Sequence, residues 1–183
     1  LDNHCRNFEV TANASAVSVR VAPSSGGQTA HDLRTGPQPE YVDADRTHLN
    51  RILIEPLTNE ALRAEWEAVK QATGKTGKLR SNQNLSYAGI ITFGIEAQQI
   101  FERLTTDQQD AALRDVSDKV AEKFGTKLTG LVVHLDETAL HAHFQIRGIG
   151  DDGTALSQIV KRAALRDVQT IAAEVMGRHA VGI

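Results

Sequence analysis

Residues 130–147 have the sequence Gly-Leu-Val-Val-His-Leu-Asp-Glu-Thr-Ala-Leu-His-Ala-His-Phe-Gln-Ile-Arg, and this stretch decides the predicted fold. From Leu140 onward, apolar and polar residues alternate strictly, which is typical of a β-strand with one buried face. Residues 130–135 form a second apolar run that contains His134 near its end. Because only a short segment connects the two runs, we predict two neighbouring antiparallel strands.

This hairpin would bring three imidazoles together. His141 and His143 project from the polar face of the second strand, and His134 lies near the end of the first. Imidazole nitrogens with a carboxylate form a typical site for a divalent transition metal. The sequence therefore predicts that these three histidines bind one metal ion, with Glu137 or Asp136 as the acid. Spacing alone does not choose between the two acids.

The same stretch resembles a motif of a known family. Residues 134–143 are similar to the pattern His-x-Asp-Glu-x-x-Pro-His-x-His of the MobV-type plasmid mobilisation relaxases, also called plasmid recombination (Pre/Mob) enzymes, with Leu140 in place of the proline. Upstream, His31-Asp-Leu-Arg34 resembles the family's first motif. Arg46-Thr-His-Leu-Asn50 resembles the segment leading into the second motif, but Arg51 stands where the family has tyrosine.

The resemblance implies a DNA-nicking enzyme. A divalent metal, Mn²⁺ or Mg²⁺, would polarise the scissile phosphate of single-stranded DNA at the origin of transfer. A protein nucleophile would attack, keep the 5′-phosphate as a covalent adduct, release a 3′-hydroxyl and so initiate conjugative mobilisation. The implied partners are single-stranded or supercoiled plasmid DNA at that origin and the conjugation machinery, in the bacterial cytoplasm.

The resemblance also implies roles for individual residues. It favours Glu137 as the fourth metal ligand or a nearby base. It implies that His31 is the nucleophile, and a neutral imidazole is nucleophilic near pH 7. Arg34, one helical turn later, is expected to bind phosphate through a bidentate guanidinium. Tyr41 is the alternative nucleophile, because the chain has only two tyrosines and neither Tyr41 nor Tyr87 belongs to a recognisable motif.

Composition is that of one globular domain. The chain has 183 residues, of which 40% are hydrophobic and 23% charged. No apolar run approaches the roughly 20 residues that cross a bilayer, and the single cysteine fits a reducing cytosol. We expect residues 1–14 to be a disordered N-terminal segment and residues 15–183 to form the relaxase domain. A dimer through a C-terminal region outside this chain is a further expectation.

The charge is unevenly distributed. The net charge of −3 argues against a general DNA-coating protein. Residues 68–95, however, contain no Asp or Glu and include a glycine-rich basic loop, which is suited to phosphate contacts. We predict DNA contacts at Arg34, at Arg147 on the polar face of the hairpin, and at three cations of this loop: Lys75, Lys78 and Arg80.

The rest of the chain alternates strands and helices. The periodicity predicts strands at 17–23 and 88–93, helices through 30–34, 57–73 and 165–175, and a helix from Thr106, whose capping box would be completed by Gln109. Antiparallel strands backed by helices indicate an α+β fold. The resemblance implies the same architecture, an antiparallel β-sheet palm flanked by helices, as in HUH relaxases.

Two other classes of protein share some of these features. A cupin-like metal oxygenase also uses His and Glu ligands on β-strands, but it would not need the His31 and Arg34 pair or the basic loop. A non-catalytic, DNA-binding relic of a relaxase is compatible with the departures at Leu140 and Arg51. Metal-dependent nicking of a single-stranded oligonucleotide separates the three classes.

Overall fold

A five-stranded antiparallel sheet forms the centre of the molecule. The computed structural model describes residues 16–25 and 27–183, so the predicted disordered segment 1–14 lies outside the described residues. The spatial order of the strands is β1-β3-β5-β4-β2, which places the predicted hairpin, β4 and β5, at and beside the central position. The strands are β1 Val17–Pro23, β2 Arg51–Ile54, β3 Ser86–Phe93, β4 Leu128–His134 and β5 His141–Arg147.

Helices lie on both faces of this sheet, so the α+β prediction is confirmed. They are α1 Gln28–Asp32, α2 Asn59–Ala72, α3 Ile95–Phe101, α4 Thr106–Lys123, α5 Leu156–Ile159 and α6 Arg162–His179, with a 3₁₀ helix at Ala44–Leu49. Among the helices of the described residues, none is both long and apolar enough to cross a membrane.

The main core lies between the sheet and helices α4 and α6. Alternate residues of β5, Ala142, Phe144 and Ile146, are at most 1% exposed and belong to this core. The opposite face of β5 is covered as well, because α2 packs there through Trp66 and Leu62. The alternation therefore assigned the two faces correctly, but the polar face is buried rather than open to solvent.

The edge of the sheet at β1 is closed by a side chain of α6. The amide of Val19 donates to Gln169 Oε1 over 3.2 Å, and the Gln169 side-chain amide donates back to the Val19 carbonyl. An unpaired strand edge is a template for aggregation, so this pairing of one glutamine with both backbone groups protects the edge.

The helix α4 begins one residue earlier than the predicted capping box. Thr105, not Thr106, is the N-cap: its hydroxyl accepts from the Gln108 amide, and Gln108 Oε1 accepts from the Thr105 amide over 2.9 Å. Gln109 is instead buried, and its side chain donates to the carbonyls of Phe101 and Leu104. The sequence allows a capping box at Thr105 and Gln108 or at Thr106 and Gln109. Because Gln109 is buried, the first of these forms.

Gly89 allows β3 and β5 to pack closely, and we expect Gly89→Ala to destabilise the protein. A Cβ at Gly89 would overlap the ring of Phe144, its partner across the two strands. Overpacking of this kind lowers the free energy of unfolding by about 1–3 kcal/mol. The matched control is Gly177→Ala in α6, whose Cβ would meet only an ordinary contact at 3.5 Å. That control should leave stability unchanged or raise it by up to about 1 kcal/mol in urea unfolding.

Candidate metal centre and active site

The structure brings four imidazoles together at one end of the β4–β5 hairpin. The ring centroids of His134, His141 and His143 lie 4.9–5.1 Å apart. The fourth ring, that of His31 on α1, lies 5.6 Å from His134 and 5.3 Å from His143. The three hairpin histidines are thus adjacent as predicted, and the histidine of the first motif joins them from more than 100 residues upstream.

Because of the hydrogen bonds in this cluster, unprotonated ring nitrogens of His134 and His141 face each other. His134 Nε2 lies 2.9 Å from the Asp32 carbonyl oxygen, and His141 Nδ1 lies 2.9 Å from that of Ala139. Because a carbonyl only accepts, we assign the ring proton to each of these nitrogens. The other nitrogens, His134 Nδ1 and His141 Nε2, then face each other as lone pairs at 3.2 Å. A cation between them relieves this repulsion, as in metal sites whose histidines donate their second N–H to an acceptor.

Glu137, and not Asp136, is the acid that faces the imidazoles. Glu137 Oε1 lies 3.8 Å from His141 Nε2 and 4.0 Å from His134 Nδ1. Potential ligand atoms of these three residues all lie within 4.8 Å of one another. The Asp136 carboxylate is bound elsewhere, so the choice that spacing left open falls on Glu137.

Burial keeps His134 and His143 in the neutral form that metal ligation requires. It lowers the pKa of His134 to about 4 and, together with the neighbouring imidazoles, the pKa of His143 to about 2. Protons compete with a metal only below the ligand pKa. Protonation of these two imidazoles should therefore compete with a metal only well below pH 6.5.

His31 is a neutral, partly accessible imidazole. Burial and the nearby Arg34 guanidinium both lower its pKa, and its side chain remains 25% exposed. Arg34 Nη1 lies 3.2 Å from His31 Nδ1, and Glu137 Oε1 lies 4.0 Å from His31 Nε2. A neutral imidazole with one accessible edge beside a carboxylate can act as a nucleophile.

Arg34 does not offer its guanidinium to a ligand. Its Nε and Nη2 donate to the two oxygens of Asp136 over 2.9 and 2.7 Å, and Nη2 also lies 2.7 Å from Glu137 Oε1. The side chain is only 4% exposed, on a backbone with the unusual φ of +54°. Arg34 was expected to bind phosphate in bidentate fashion, but its guanidinium binds Asp136 in this way instead. The buried Asp136 and the partly exposed Glu137 already pair with the cation.

Asp136 anchors the connection between the two hairpin strands. Its Oδ2 accepts from Asn50 Nδ2 over 2.7 Å and from the Thr47 hydroxyl over 3.0 Å. Asn50 Oδ1 in turn accepts from the Leu135 amide over 2.7 Å. The segment that resembles the approach to the second motif thus fixes the metal-binding loop. Arg51, by contrast, pairs with Asp110 of α4.

Asp32 is a site residue that the sequence analysis missed. Its carboxylate lies 3.5 Å from His143 Nδ1 and accepts from the Gln28 side chain over 2.7 Å. Burial raises the pKa of Asp32 to about 6. An acid inside the His31-to-Arg34 motif was the available signal, but no spacing rule connects it with His143.

The predicted DNA-binding cations differ in exposure: Arg147 is buried, whereas those of the basic loop are exposed. Arg147 is 4% exposed, pairs with Glu65 and Asp151, and lies at the end of β5 opposite to His141. The predicted DNA contact of Arg147 is therefore not supported. The loop cations are exposed, and the loop packs against the turn at Gly153, also away from the histidines. These loop cations are Lys75, Lys78 and Arg80.

A shallow groove connects the imidazole cluster with the basic loop. One part, of about 220 Å³, extends from His143 over Arg20 and Ile90 to Ser25. A second part, of about 230 Å³, continues from Ser25 to Arg63 and Ser81, next to the basic loop. An extended polar polymer could follow this path across the open part of the sheet.

Comparison with known proteins agrees with this arrangement. A family model described as plasmid recombination enzyme (Mob_Pre) matches residues 25–182. No curated protein matches the chain in sequence.

Among solved structures, the fold is similar to the Mn-bound MobM relaxase domain (MOBV; Mob_Pre) on a 22-nucleotide oriT DNA of plasmid pMV158 at pH 5.5. The TM-score is 0.72 at 21% identity, over 90% of this chain and 87% of that chain. The same domain with a 26-nucleotide oriT DNA gives 0.65 at 18% identity, over the same shares. The family match covers most of the sequence, and the fold agrees with it, since it is that of a MobV-type relaxase domain: this chain belongs to the plasmid recombination enzyme family.

Proposed function

We propose that this chain is a metal-dependent relaxase that nicks one strand of plasmid DNA at an origin of transfer and keeps the 5′-phosphate on His31. The observation that carries the proposal is the position of the His31 imidazole, 5.3 Å from His143 and 5.6 Å from His134. The similar MobM relaxase domain binds oriT DNA and Mn, which supports the same substrate class and ion here.

The donor set fits a divalent cation. We assign the ion to His134, Glu137, His141 and His143, and propose Mn²⁺ or Mg²⁺. Mn-bound structures of the MobM domain span pH 4.6 to 6.8, which fits ligands whose pKa is lowered by burial. When bound, such an ion supplies positive charge that neutralises charge developing on the phosphoryl oxygens.

The chain's own residues carry out the transfer of the phosphoryl group. A lone pair of the neutral His31 ring attacks phosphorus and forms a P–N bond while the P–O3′ bond breaks. The ring proton of His31 passes to a base: one oxygen of Glu137 binds the ion and the other takes this proton, and Glu137 Oε1 lies 4.0 Å from His31 Nε2. The departing 3′-oxygen takes up a proton from solvent, which leaves a 3′-hydroxyl. Arg34 holds the Glu137 carboxylate in place.

Of the two tyrosines, Tyr87 is poorly placed for the same role. Tyr87 is buried on the core face of β3, and burial raises its pKa. Tyr41 is 62% exposed and lies two residues before Asp43, whose amide donates to the Asp136 carbonyl over 2.8 Å, so it is the alternative nucleophile that the adduct must exclude. The remaining rivals differ as well. The cupin-like alternative is wrong, because the chain has a relaxase domain fold and family. A non-catalytic relic would bind DNA without forming an adduct.

The adduct itself tests the proposal. Purified protein with Mn²⁺ and an oligonucleotide containing its origin should give a covalent protein–DNA species, and mass spectrometry of its peptides should place the modification on His31. Protein that binds the origin with Mn²⁺ but forms no adduct would be a relic. In the cell, we propose that the enzyme works in the cytoplasm and delivers the linked strand to the conjugation machinery.

The basic loop should contribute to DNA affinity without a sequence preference. We expect Lys78→Ala with Arg80→Ala to weaken binding of any single strand and to reduce the slope of log affinity against log salt by about one to two units. Mn²⁺ affinity should not change, because the loop lies away from the histidines. Filter binding at several salt concentrations measures the slope. The control is Lys119→Ala with Lys123→Ala on α4, and equal slopes for both double variants would place the DNA elsewhere.

A further inference from the structure

We propose that His31 is also a metal ligand. When Zn²⁺ binds, His31 completes a site with four protein ligands, and its imidazole can then no longer attack the DNA. The inhibitory effect rests on the proposed function, because binding of His31 to a metal blocks the reaction only if His31 is the nucleophile. The protein would therefore have two alternative sets of metal ligands, and both sets include His134.

The geometry offers two overlapping ligand sets. His134, Glu137 and His141 form one set, and His31, His134 and His143 form another; in each, the potential ligand atoms lie within 4.8 Å of one another. The sets share His134, so an ion bound there can complete its coordination with either. With His141 added, the second set has four imidazole ligands, and it differs from the ligands assigned to Mn²⁺ only in having His31 in place of Glu137.

Metal preference decides between the two sets. Zn²⁺ favours four-coordinate sites of nitrogen or sulfur ligands, and a site closed by four protein ligands is typical of a structural ion. Mn²⁺ favours oxygen ligands, prefers higher coordination and lies lowest in the affinity order of these divalent ions. We therefore expect Mn²⁺ to leave His31 free, and Zn²⁺ to bind more tightly and to capture it.

Only a small movement is needed to close the site. Nitrogens at the corners of a tetrahedron around Zn²⁺ are separated by about 3.4 Å, from Zn–N bonds of about 2.1 Å. The ligand atoms of the second set already lie within 4.8 Å. His31 lies on α1, a helix of only five residues, and its ring is partly exposed. A shift of this short helix or a rotation of the ring is sufficient.

Cobalt reports the coordination directly. Co²⁺ replaces Zn²⁺ and absorbs visible light strongly when four-coordinate and weakly when five- or six-coordinate. Metal-free wild-type protein titrated with Co²⁺ should give the strong spectrum, and His31→Ala should give the weak one. His31→Ala should also weaken Zn²⁺ binding by at least about 10-fold, as expected for a lost ligand, while Mn²⁺ affinity changes less than about twofold. His31→Asn is a second variant in case alanine disturbs α1.

A histidine outside the cluster provides the control. His48 is exposed on the 3₁₀ helix, and His48→Ala should reproduce the wild-type cobalt spectrum and Zn²⁺ affinity. Unchanged spectra and Zn²⁺ affinities in both His31 variants would overturn the inference. These readouts need no nicking: a strong cobalt spectrum that depends on His31, in a protein that forms no DNA adduct, would refute the proposed function while confirming His31 as a ligand.

Discussion

His31→Ala should lower Mn²⁺-dependent nicking by at least about 10⁴-fold, because loss of a covalent nucleophile removes the reaction path itself. The variant should bind Mn²⁺ and origin DNA within about twofold of wild type, since His31 is not among the ligands assigned to Mn²⁺. Cleavage of a labelled oligonucleotide under single-turnover conditions, with binding measured separately, checks both parts of this expectation.

The chemistry of the adduct provides the control. A P–N bond to histidine is hydrolysed by acid, whereas a phosphodiester to tyrosine survives, so brief acid treatment should release the DNA from wild-type protein. Tyr41→Phe should keep most of the activity. An acid-stable adduct, or full nicking by His31→Ala, would contradict the assignment and move the reaction to a tyrosine.

Asp136→Asn should destabilise the fold by about 3 kcal/mol or more, because removal of one partner leaves a buried cation incompletely paired. The Arg34 side chain is 4% exposed and the Asp136 side chain 0%. Asparagine keeps only one accepting oxygen, so either Arg34 Nη2 or the Asn50 and Thr47 donors would face an amide N–H instead. Since Arg34 also holds Glu137, we expect weaker Mn²⁺ binding in the same variant. Urea unfolding and metal titration measure the two effects.

A more exposed ion pair is the matched control. Asp110 binds Arg51 over 2.8 Å, with both side chains at least 20% exposed. Because solvent screens such a pair, Asp110→Asn should cost only about 0–1 kcal/mol. If both variants lost the same free energy of unfolding, the Asp136–Arg34 pair would contribute no more than an exposed ion pair.

The pH dependence of the Asp136 contribution has a definite sign. Hydrogen bonds from Arg34, Asn50 and Thr47 hold the pKa of Asp136 well below its ordinary range. A carboxyl with a lowered folded-state pKa contributes fully above its unfolded pKa of about 3.9 and loses this contribution as the pH falls toward the folded value. The difference between wild type and Asp136→Asn should therefore be constant from pH 6 to 8 and shrink below about pH 4.

The amino-acid sequence alone determined the elements whose signal is local. The alternation after Leu140 defined β5 and its two faces, and the spacing of His134, His141 and His143 placed three imidazoles on one end of a hairpin. The strand at 17–23 was found in the same way, whereas β3 was predicted from its apolar run at 88–93 and begins earlier, at Ser86. Side-chain periodicity depends only on backbone geometry within a few residues, so it can be recognised in the sequence without the tertiary structure.

Other features were missed because their signal is weak or short. The strand β2 has four residues and α5 has four, too few to show a period. The capping box was displaced by one residue because the sequence contains two adjacent threonines and two adjacent glutamines.

Tertiary structure alone decided the partners of the charged groups. Arg34 and Asp136 are 102 residues apart in sequence, and His143 and Gln28 are 115 apart. A sequence shows that Arg34 and Arg147 are cations, but their availability to DNA depends on which carboxylates fold beside them. Since burying an unpaired charge is costly, each buried arginine is paired with two acids: Arg34 with Asp136 and Glu137, and Arg147 with the half-buried Glu65 and the exposed Asp151. The same packing turns Glu137 rather than Asp136 toward the imidazoles of the hairpin and brings His31 beside them.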